Sequence, residues 1–392
     1  MRVLVAPDKF KGAATAAQVG AAIAAGLRDG DPTLEVEVLP IADGGDGTVD
    51  AAIAAGFAAH GVRVRGPVGD PHDATIALQA RTAIVELANT CGVALLPHGV
   101  LRPLDANTGG LGDAIGAALD HGAHDLILAV GGSASTDAGL GALLALGARV
   151  LDGAGRDVPP GAGSLGDVST IDLAGLRPDL RTATIRIATD VDNPLLGPRG
   201  SVVVFGPQKG ITADLAPRIE AGLRTVARIV ADASGADIVD IAGRPGGGAA
   251  GGIAAVFAGL LGARIVPGAA LVMDLLAVRE RIAAADLVIT GEGAFDDQTL
   301  HGKGPGAVLD AARSQAVPTA IIAGRIDVDP QQIAALGLTH ALALTAFVGG
   351  DVEAAIRECL PLARLAGQMI GRAISVESAL VAGPSAPLES QG

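Results

Sequence analysis

The sequence predicts an α/β fold: a parallel-sheet domain made discontinuous by a second α/β (α+β) domain inserted into it. Three observations carry this. Short, largely apolar runs recur, each followed by a polar glycine-rich loop: residues 3–6 before PDKFKG, 126–130 before GGSASTD, and 286–290 before GEG. Helical periodicity separates these units, and uninterrupted apolar strands alternating with helices belong to a parallel sheet covered on both faces. Two stretches break that grammar: residues 61–100 carry VRVRGPV, ATIALQA and TAIVELA with no helix between them, and residues 150–275 mix short strands, Gly/Pro loops and two helical patterns. The expected division is 1–60, 101–149 and 276–374 for the parallel-sheet domain, 61–100 and 150–275 for the inserted domain, and 375–392 for a loose tail.

In chain order, residues 3–6 form the first strand, ended by Pro7. Thr15 and Gln18 have the spacing of a capping box, and Val19, Ile23 and Leu27 then recur every fourth residue until Gly30 and Pro32 close the helix. Residues 35–39 alternate as a strand and run into IADGGDGT. The strand at 126–130 leads through GGSASTD into a small-residue helix at 138–147, and one helical pattern of the inserted region spans 212–231. Strands at 286–290, 319–323 and 340–345 complete the sheet.

The chain has 392 residues, 49% of them hydrophobic, which is ample for a core and excludes a disordered chain. Its length corresponds to two or three domains at about 150 residues each. With 28 Lys+Arg against 42 Asp+Glu, the formal charge is −14. That balance argues against nucleic acid and anionic membranes as partners, because both are held by clustered Lys and Arg. An anionic small substrate would need a local cationic pocket or a metal. Cys91 and Cys359 are too few for a disulfide framework or a thiolate metal site. Five uncharged residues separate Arg2 from Asp8, which fits no signal peptide. The longest uncharged run, between Arg244 and Arg264, contains seven glycines and reads as a buried loop and helix rather than a membrane span. A cytoplasmic protein is the expectation. Trp and Tyr are absent and only six Phe remain, so aromatic cages and base-stacking platforms are not the expected mode of recognition. The 57 glycines follow no collagen-like period and point to turns and close backbone approaches.

In an open α/β sheet, ligands bind beyond the carboxyl ends of the strands. The segments just past the expected strands are APDKFKG, ADGGDGT, GGSASTD and GEGAFDDQ, which predicts one cleft lined by Asp8, Lys11, Asp43, Ser133, Glu292 and Asp296. GGSASTD, between a strand and a helix, turns backbone N–H groups toward a possible anion. Read more plainly, it is an ordinary strand-to-helix turn with Asp137 as the helix cap. FGPQKG around Lys209 and LHGKGP around Lys303 are Gly-flanked lysines, which allow close approach of a ligand or are simply solvated. Asp43 and Asp46 bracket a Gly pair, Asp190 and Asp192 lie in TDVDNP, and Glu292, Asp296 and Asp297 lie in GEGAFDD. Magnesium takes such oxygen ligands, one or two carboxylates completed by substrate phosphate oxygens. No GxxxxGK[ST] loop or HExxH zinc motif is present, no GxGxxG stands in the strand-to-helix context of a dinucleotide site, and Cys91 sits in an apolar segment that suits packing better than reactivity. A carboxylate-, glycine- and lysine-bearing site on an α/β scaffold has the ingredients of phosphoryl transfer, which rests mostly on positioning and charge stabilisation.

APDKFKG (6–12), IADGGDGTVDA (41–51), VGGSASTDAG (130–139), TDVDNPLLGPRG (189–200), VFGPQKG (204–210), GGGAAGG (246–252) and DLVITGEGAFDDQTLHGK (286–303) resemble the motifs of the bacterial type I glycerate kinases, in that family's order. The resemblance implies a discontinuous Rossmann- or flavodoxin-like domain with an inserted α/β domain and an active site between them. It also implies ATP-dependent phosphorylation of D-glycerate with Mg²⁺, usually to 2-phosphoglycerate. Phosphorylation at the 3-position or of another small hydroxy acid stays open, as does, more distantly, a non-catalytic two-lobed binding protein. Three positions depart from the family pattern: Leu111 and Asp113 stand where a Thr and a Glu are usual, and Ala294 where many members have Arg.

On that basis Asp190, and second Asp43, is expected to orient or deprotonate the C2 hydroxyl, with Lys11 and Lys209 as further catalytic groups neutralising phosphate or carboxylate. Glu292 and Asp296 are the expected metal ligands. Asp8, Lys9, Gly44, Gly45, Gly131, Gly132, Ser133, Ser135, Asn193, Gln208 and Lys303 are the expected substrate- and phosphate-binding set.

Overall fold

The computed structural model describes residues 1–300 and 304–382. The chain divides into two compact units, one formed by Met1–Ile41 with Leu276–Gly392 and the other by Ala42–Leu275.

The first unit is built on five parallel strands in the order His340–Ala343, Thr319–Ala323, Leu287–Gly291, Arg2–Pro7, Glu35–Val38. Val3 lies opposite Leu287 and Pro7 opposite Gly291, so these two strands end level with one another. Val3, Leu4 and Val5 are all buried, as an apolar run with no polar alternation requires of a strand covered on both faces. The helix Ala16–Gly30 begins at the expected capping box: Gln18 N donates to Thr15 Oγ1 at 3.2 Å and Thr15 N donates to Gln18 Oε1 at 3.0 Å. Val19, Ile23 and Leu27 bury its inner face, each contributing about 1.5–3 kcal/mol of transfer free energy.

That helix packs against Cys359–Ala382 at unusually short range, because glycines line the contact. A Cβ on Gly26 would stand 1.9 Å from the Arg364 carbonyl oxygen, and one on Gly367 would stand 2.4 Å from that of Ile23. The C-terminal helix continues past Ser375 to Ala382, where a loose tail is expected from the sequence. Nothing in SVESALVA interrupts a helix; the next stop signal is Gly383-Pro384.

The second unit holds six strands in the order Arg264–Val266, Thr184–Ala188, Asp125–Ala129, Thr82–Glu86, Pro71–Gln79, Ala58–Arg65. The first four are parallel, and Pro71–Gln79 is antiparallel to both its neighbours. The helix Ala216–Ser234 buries Ile219, Leu223, Val226 and Val230 against a core shared with Phe257 and Leu128. The expected helix at 138–147 shortens to Leu140–Ala145, since Ala138 and Gly139 both have left-handed backbone, φ 55° and 74°. The uncharged stretch after Arg244 forms a short 3₁₀ turn and the buried helix Ile253–Leu261.

This boundary differs from the expected division. Residues 42–60 and 101–149 belong to the second unit, because Asp125–Ala129 pairs with Thr82–Glu86 and Thr184–Ala188. An apolar strand with a glycine-rich loop after it reads alike in either sheet; only its hydrogen-bonding partners decide which sheet it joins. Among the described residues no helix is long and apolar enough to cross a membrane.

Candidate active site

In the first unit the functional motifs sit on the carboxyl edge of the sheet. Asp8 N donates to Gly291 O at 2.8 Å, which extends the pairing of the two central strands one residue past their ends. The PDKFKG turn then closes on itself through two bonds between Phe10 and Ala14, each 3.0 Å, with Gly12 at φ +79° making the reversal. Asp8 is largely buried and its Oδ1 accepts Lys9 N at 2.6 Å. Gly304 opens the helix Gly304–Ser314 beside it, so close that a Cβ there would lie 3.0 Å from Asp8 Oδ2.

Glu292 and Asp296 follow the neighbouring strand and are tied together by buried Thr299. The Thr299 hydroxyl donates to Glu292 Oε1 at 2.5 Å, and Thr299 N donates to Asp296 Oδ1 at 3.3 Å. Gly293 lies directly on the PDKFKG turn, where a Cβ would come within 3.0 Å of Lys11 N. Asp8, Lys9, Lys11, Glu292 and Asp296 are thus gathered at one sheet edge of one unit. Lys303 lies outside the described residues.

In the second unit the ADGGDGT turn is laid across the strand ends. Gly44, at φ +83°, approaches the edge where Arg264–Val266 and Thr184–Ala188 finish: a Cβ there would meet Gly268 Cα at 2.7 Å and Ala188 Cβ at 3.0 Å. One residue on, Gly45 lies against Gly131 at the end of Asp125–Ala129. Then Val49 N donates to Glu86 Oε2 at 3.0 Å, at the end of Thr82–Glu86. The two glycines are required because backbone passes over backbone. Asp43 Oδ1 accepts Gly45 N at 3.2 Å within the turn.

Asp190 stands at the same edge, exposed, with Oδ1 accepting Gly268 N at 2.8 Å and Oδ2 accepting Ala269 N at 3.1 Å. These bonds fix the carboxylate at the start of the helix Gly268–Leu275. Asn193 is turned to local structure: its Nδ2 donates to Arg199 O at 2.9 Å and its carbonyl accepts Gly248 N at 3.0 Å. Gln208 is exposed.

Lys209 is buried, only 3% exposed, although it belongs to a Gly-flanked loop. Its Nζ donates to Ser133 Oγ and to Ser135 O, both at 2.6 Å. Burial pulls its pKa down to about 7, with the charge of Asp137 acting in the opposite sense. Asp137 is itself fully buried. It accepts from Gly139 N and Gly141 N as a helix cap would, and also from Thr108 N and Thr108 Oγ1 at 2.9 and 2.8 Å. Gly131, Gly132, Ser133 and Ser135 thus form a loop braced from beneath by Lys209.

Glu86, Asp137's bond to Thr108, and Thr299 are absent from the expected set. Glu86 carries a signal in hindsight, as the single charge closing the apolar run TAIVE. It is 3% exposed, and burial pushes its pKa up to about 7. The N–H groups of Val49 and Gly47 counteract this, while Asp46 and Asp50 add to it. Cys91 is packed, its thiol driven up to about 12 by burial, and so is unreactive. Of the departures, Leu111 is core. Asp113 is bound by Arg65 through Nε at 2.8 Å and Nη2 at 2.5 Å. Burial opposes its charge, but those bonds outweigh it and hold the carboxyl below its usual range. Ala294 pairs in register with Arg325.

Two units, each with parallel strands whose carboxyl edge bears glycine-rich, carboxylate-bearing loops, define an enzyme of the α/β class. Comparison with known proteins narrows that class. The Glycerate kinase family model matches residues 3–375. A glycerate kinase of Bacillus subtilis (strain 168) is 40% identical over 356 residues, spanning 90% of this chain and 91% of that protein. A glycerate 2-kinase of Escherichia coli (strain K12) is 37% identical over 358 residues, spanning 90% of this chain and 93% of that protein. A crystal structure from Salmonella typhimurium LT2, assigned as glycerate kinase 2, superposes with a TM-score of 0.80 at 35% identity, covering 96% of this chain and 99% of that one. The chain belongs to the glycerate kinase family. It is a kinase that transfers a phosphoryl group to an alcohol, with ATP as the donor the family implies.

Proposed function

We propose that this kinase phosphorylates the C2 hydroxyl of D-glycerate from ATP with Mg²⁺ in the cytoplasm, and that the glycine-rich, carboxylate-bearing loops described above carry the reaction. The observation that supports it most is that PDKFKG, ADGGDGT, GGSASTD, TDVDNP and GEGAFDD each follow a strand of a parallel pairing, where α/β enzymes bind ligands. In the first unit, Glu292 and Asp296 present hard oxygen donors held by one threonine. Among the described residues no group of three or more His, Cys, Asp or Glu could hold a metal ion. The pair fits Mg²⁺, which commonly takes one or two carboxylates and fills its sphere with water and phosphate oxygens. When bound there the ion would neutralise phosphate charge. Lys11 and Lys9 lie on the adjoining turn and add positive charge for the same purpose.

In the second unit, Asp190 orients the attacking hydroxyl and accepts its proton. The two N–H bonds from Gly268 and Ala269 hold the carboxylate still, so that positioning costs little at the moment of reaction. Asp43, fixed by Gly45 N, is the second group suited to that role. The 131–135 loop takes an oxyanion, the glycerate carboxylate or a nucleotide phosphate. Lys209 supports the loop from within.

The test is ADP release from ATP, Mg²⁺ and D-glycerate, with the product passed to enolase alone. Immediate enolase turnover is the expected result; turnover that requires added phosphoglycerate mutase would reverse the regiochemistry, and no ADP above the glycerate-free blank would overturn the substrate. In the same assay D190N is expected to lose kcat by about two or more orders of magnitude with KM little changed. An unchanged kcat removes Asp190 from the role.

A further inference from the structure

The buried amine of Lys209 lies against the 131–135 loop. It donates at 2.6 Å to Ser133 Oγ, a hydroxyl whose own proton is thereby left to point elsewhere, because an oxygen that accepts from an ammonium donates in another direction. The second bond, to Ser135 O, fixes the amine, and Asp137 is the charged group whose field reaches it. Ser135 Oγ, wholly buried in the same loop, has no hydrogen-bond partner among the described residues. A buried hydroxyl without a partner is costly and marks a place that a ligand or water completes. A glycine-flanked loop, a hydroxyl backed by a lysine, and an unsatisfied hydroxyl beside it together suit an oxyanion.

We propose that Lys209 is a positioning residue which polarises the Ser133 hydroxyl toward a bound oxyanion, and that binding draws a proton onto the Lys209 amine. This rests on the reading above, that the 131–135 loop takes the glycerate carboxylate or a nucleotide phosphate. Without ligand, burial leaves the amine only partly protonated near neutral pH. An anion beyond Ser133 favours the ammonium, so the loop binds ligand and proton together.

The experiment is calorimetric titration of the full chain at pH 7 with D-glycerate and, separately, with Mg·ADP, each in PIPES and in imidazole. These buffers differ in ionisation enthalpy, so a heat that changes between them counts protons. Expected is uptake of up to about half a proton with one of the two ligands, which identifies the oxyanion, since the free amine titrates at about 7. K209M should lose that uptake and S133A should reduce it, the latter a smaller change that spares the fold if K209M does not. E86Q should keep it, which separates Lys209 from the other buried group titrating near neutrality. Equal wild-type heats in both buffers, uptake that survives in K209M, or uptake lost in E86Q overturns the proposal while leaving glycerate phosphorylation intact. Failure of both ligands to bind overturns the functional reading and this proposal with it.

Discussion

Glu86 and Lys209 are the two buried groups of the second unit whose charge is decided near neutral pH, and they act on stability in opposite directions. For Glu86 the folded-state value is raised from 4.5 to about 7. Between those values the folded chain keeps a proton that the unfolded chain releases, so stability falls as pH rises through the window. Above pH 7 the cost is complete, about 3 kcal/mol by the size of the net shift, in which the N–H bonds from Val49 and Gly47 are already counted. Lys209, lowered from 10.5 to about 7, works the other way: stability rises with pH between those values. E86Q removes the buried charge while keeping an acceptor for Val49 N. The melting temperature of E86Q relative to wild type should therefore climb between pH 5 and pH 8, followed by circular dichroism because the chain has no Trp or Tyr. A difference that stays flat across that range would mean that Glu86 does not titrate in the window.

Secondary elements were largely legible from local pattern, and their partners were not. The capping box at Thr15 and Gln18 and the four-residue spacing of Val19, Ile23 and Leu27 place the first helix correctly from sequence. No local pattern says that Asp125–Ala129 joins Thr82–Glu86, because that pairing spans 43 residues of chain between Thr82 and Asp125. The site divides in the same way. The glycine-rich loops past the strands can be read as loops, but the passage of Gly44 and Gly45 over Gly268 and Gly131 depends on remote backbone. The burial of Lys209 likewise depends on Ser133, which is 76 residues away. The helix pair of the first unit shows how much remote backbone demands of a sequence. Gly26 reads as an indifferent residue on a helix, yet it faces the Arg364 carbonyl. Helix propensity alone would make Gly26→Ala stabilising by roughly 0.5–1 kcal/mol. Backbone cannot yield to a Cβ placed 1.9 Å away, so the overpacking penalty of about 1–3 kcal/mol wins. G26A should melt several degrees lower, and an unchanged or higher melting temperature would show that the two helices separate at little cost.

At the scale of the whole molecule, the order of the chain makes the two units unequal in folding. The second unit is one continuous segment, Ala42–Leu275, with its own core running from Val64 through Leu128 to Phe257. Each of its six strands finds its partners inside that segment. The first unit is closed only when both ends of the chain are present, since Arg2–Pro7 pairs with Leu287–Gly291, and Ile23 and Leu27 bury against the C-terminal helix through Ala366 and Ile370. One of the four strand pairings of its sheet, that of Arg2–Pro7 with Leu287–Gly291, therefore forms across a separation that includes the entire second unit. Loop-closure entropy grows only slowly with length, so the insertion is tolerated, but it must be ordered first for the ends to be held near one another. A fragment of residues 42–275 should then fold alone and melt cooperatively, and one of residues 276–392 should not, because it lacks Arg2–Pro7, the partner of Leu287–Gly291, and the helix Ala16–Gly30 that packs on its C-terminal helix. Dissolved singly, the fragments test this by circular dichroism and amide exchange: protected amides at 125–129 and 184–188 in the first, and none at 287–291 in the second, are expected. Cooperative melting of 276–392 by itself would show that the Leu287–Gly291, Thr319–Ala323 and His340–Ala343 strands are stable without Arg2–Pro7 beside them.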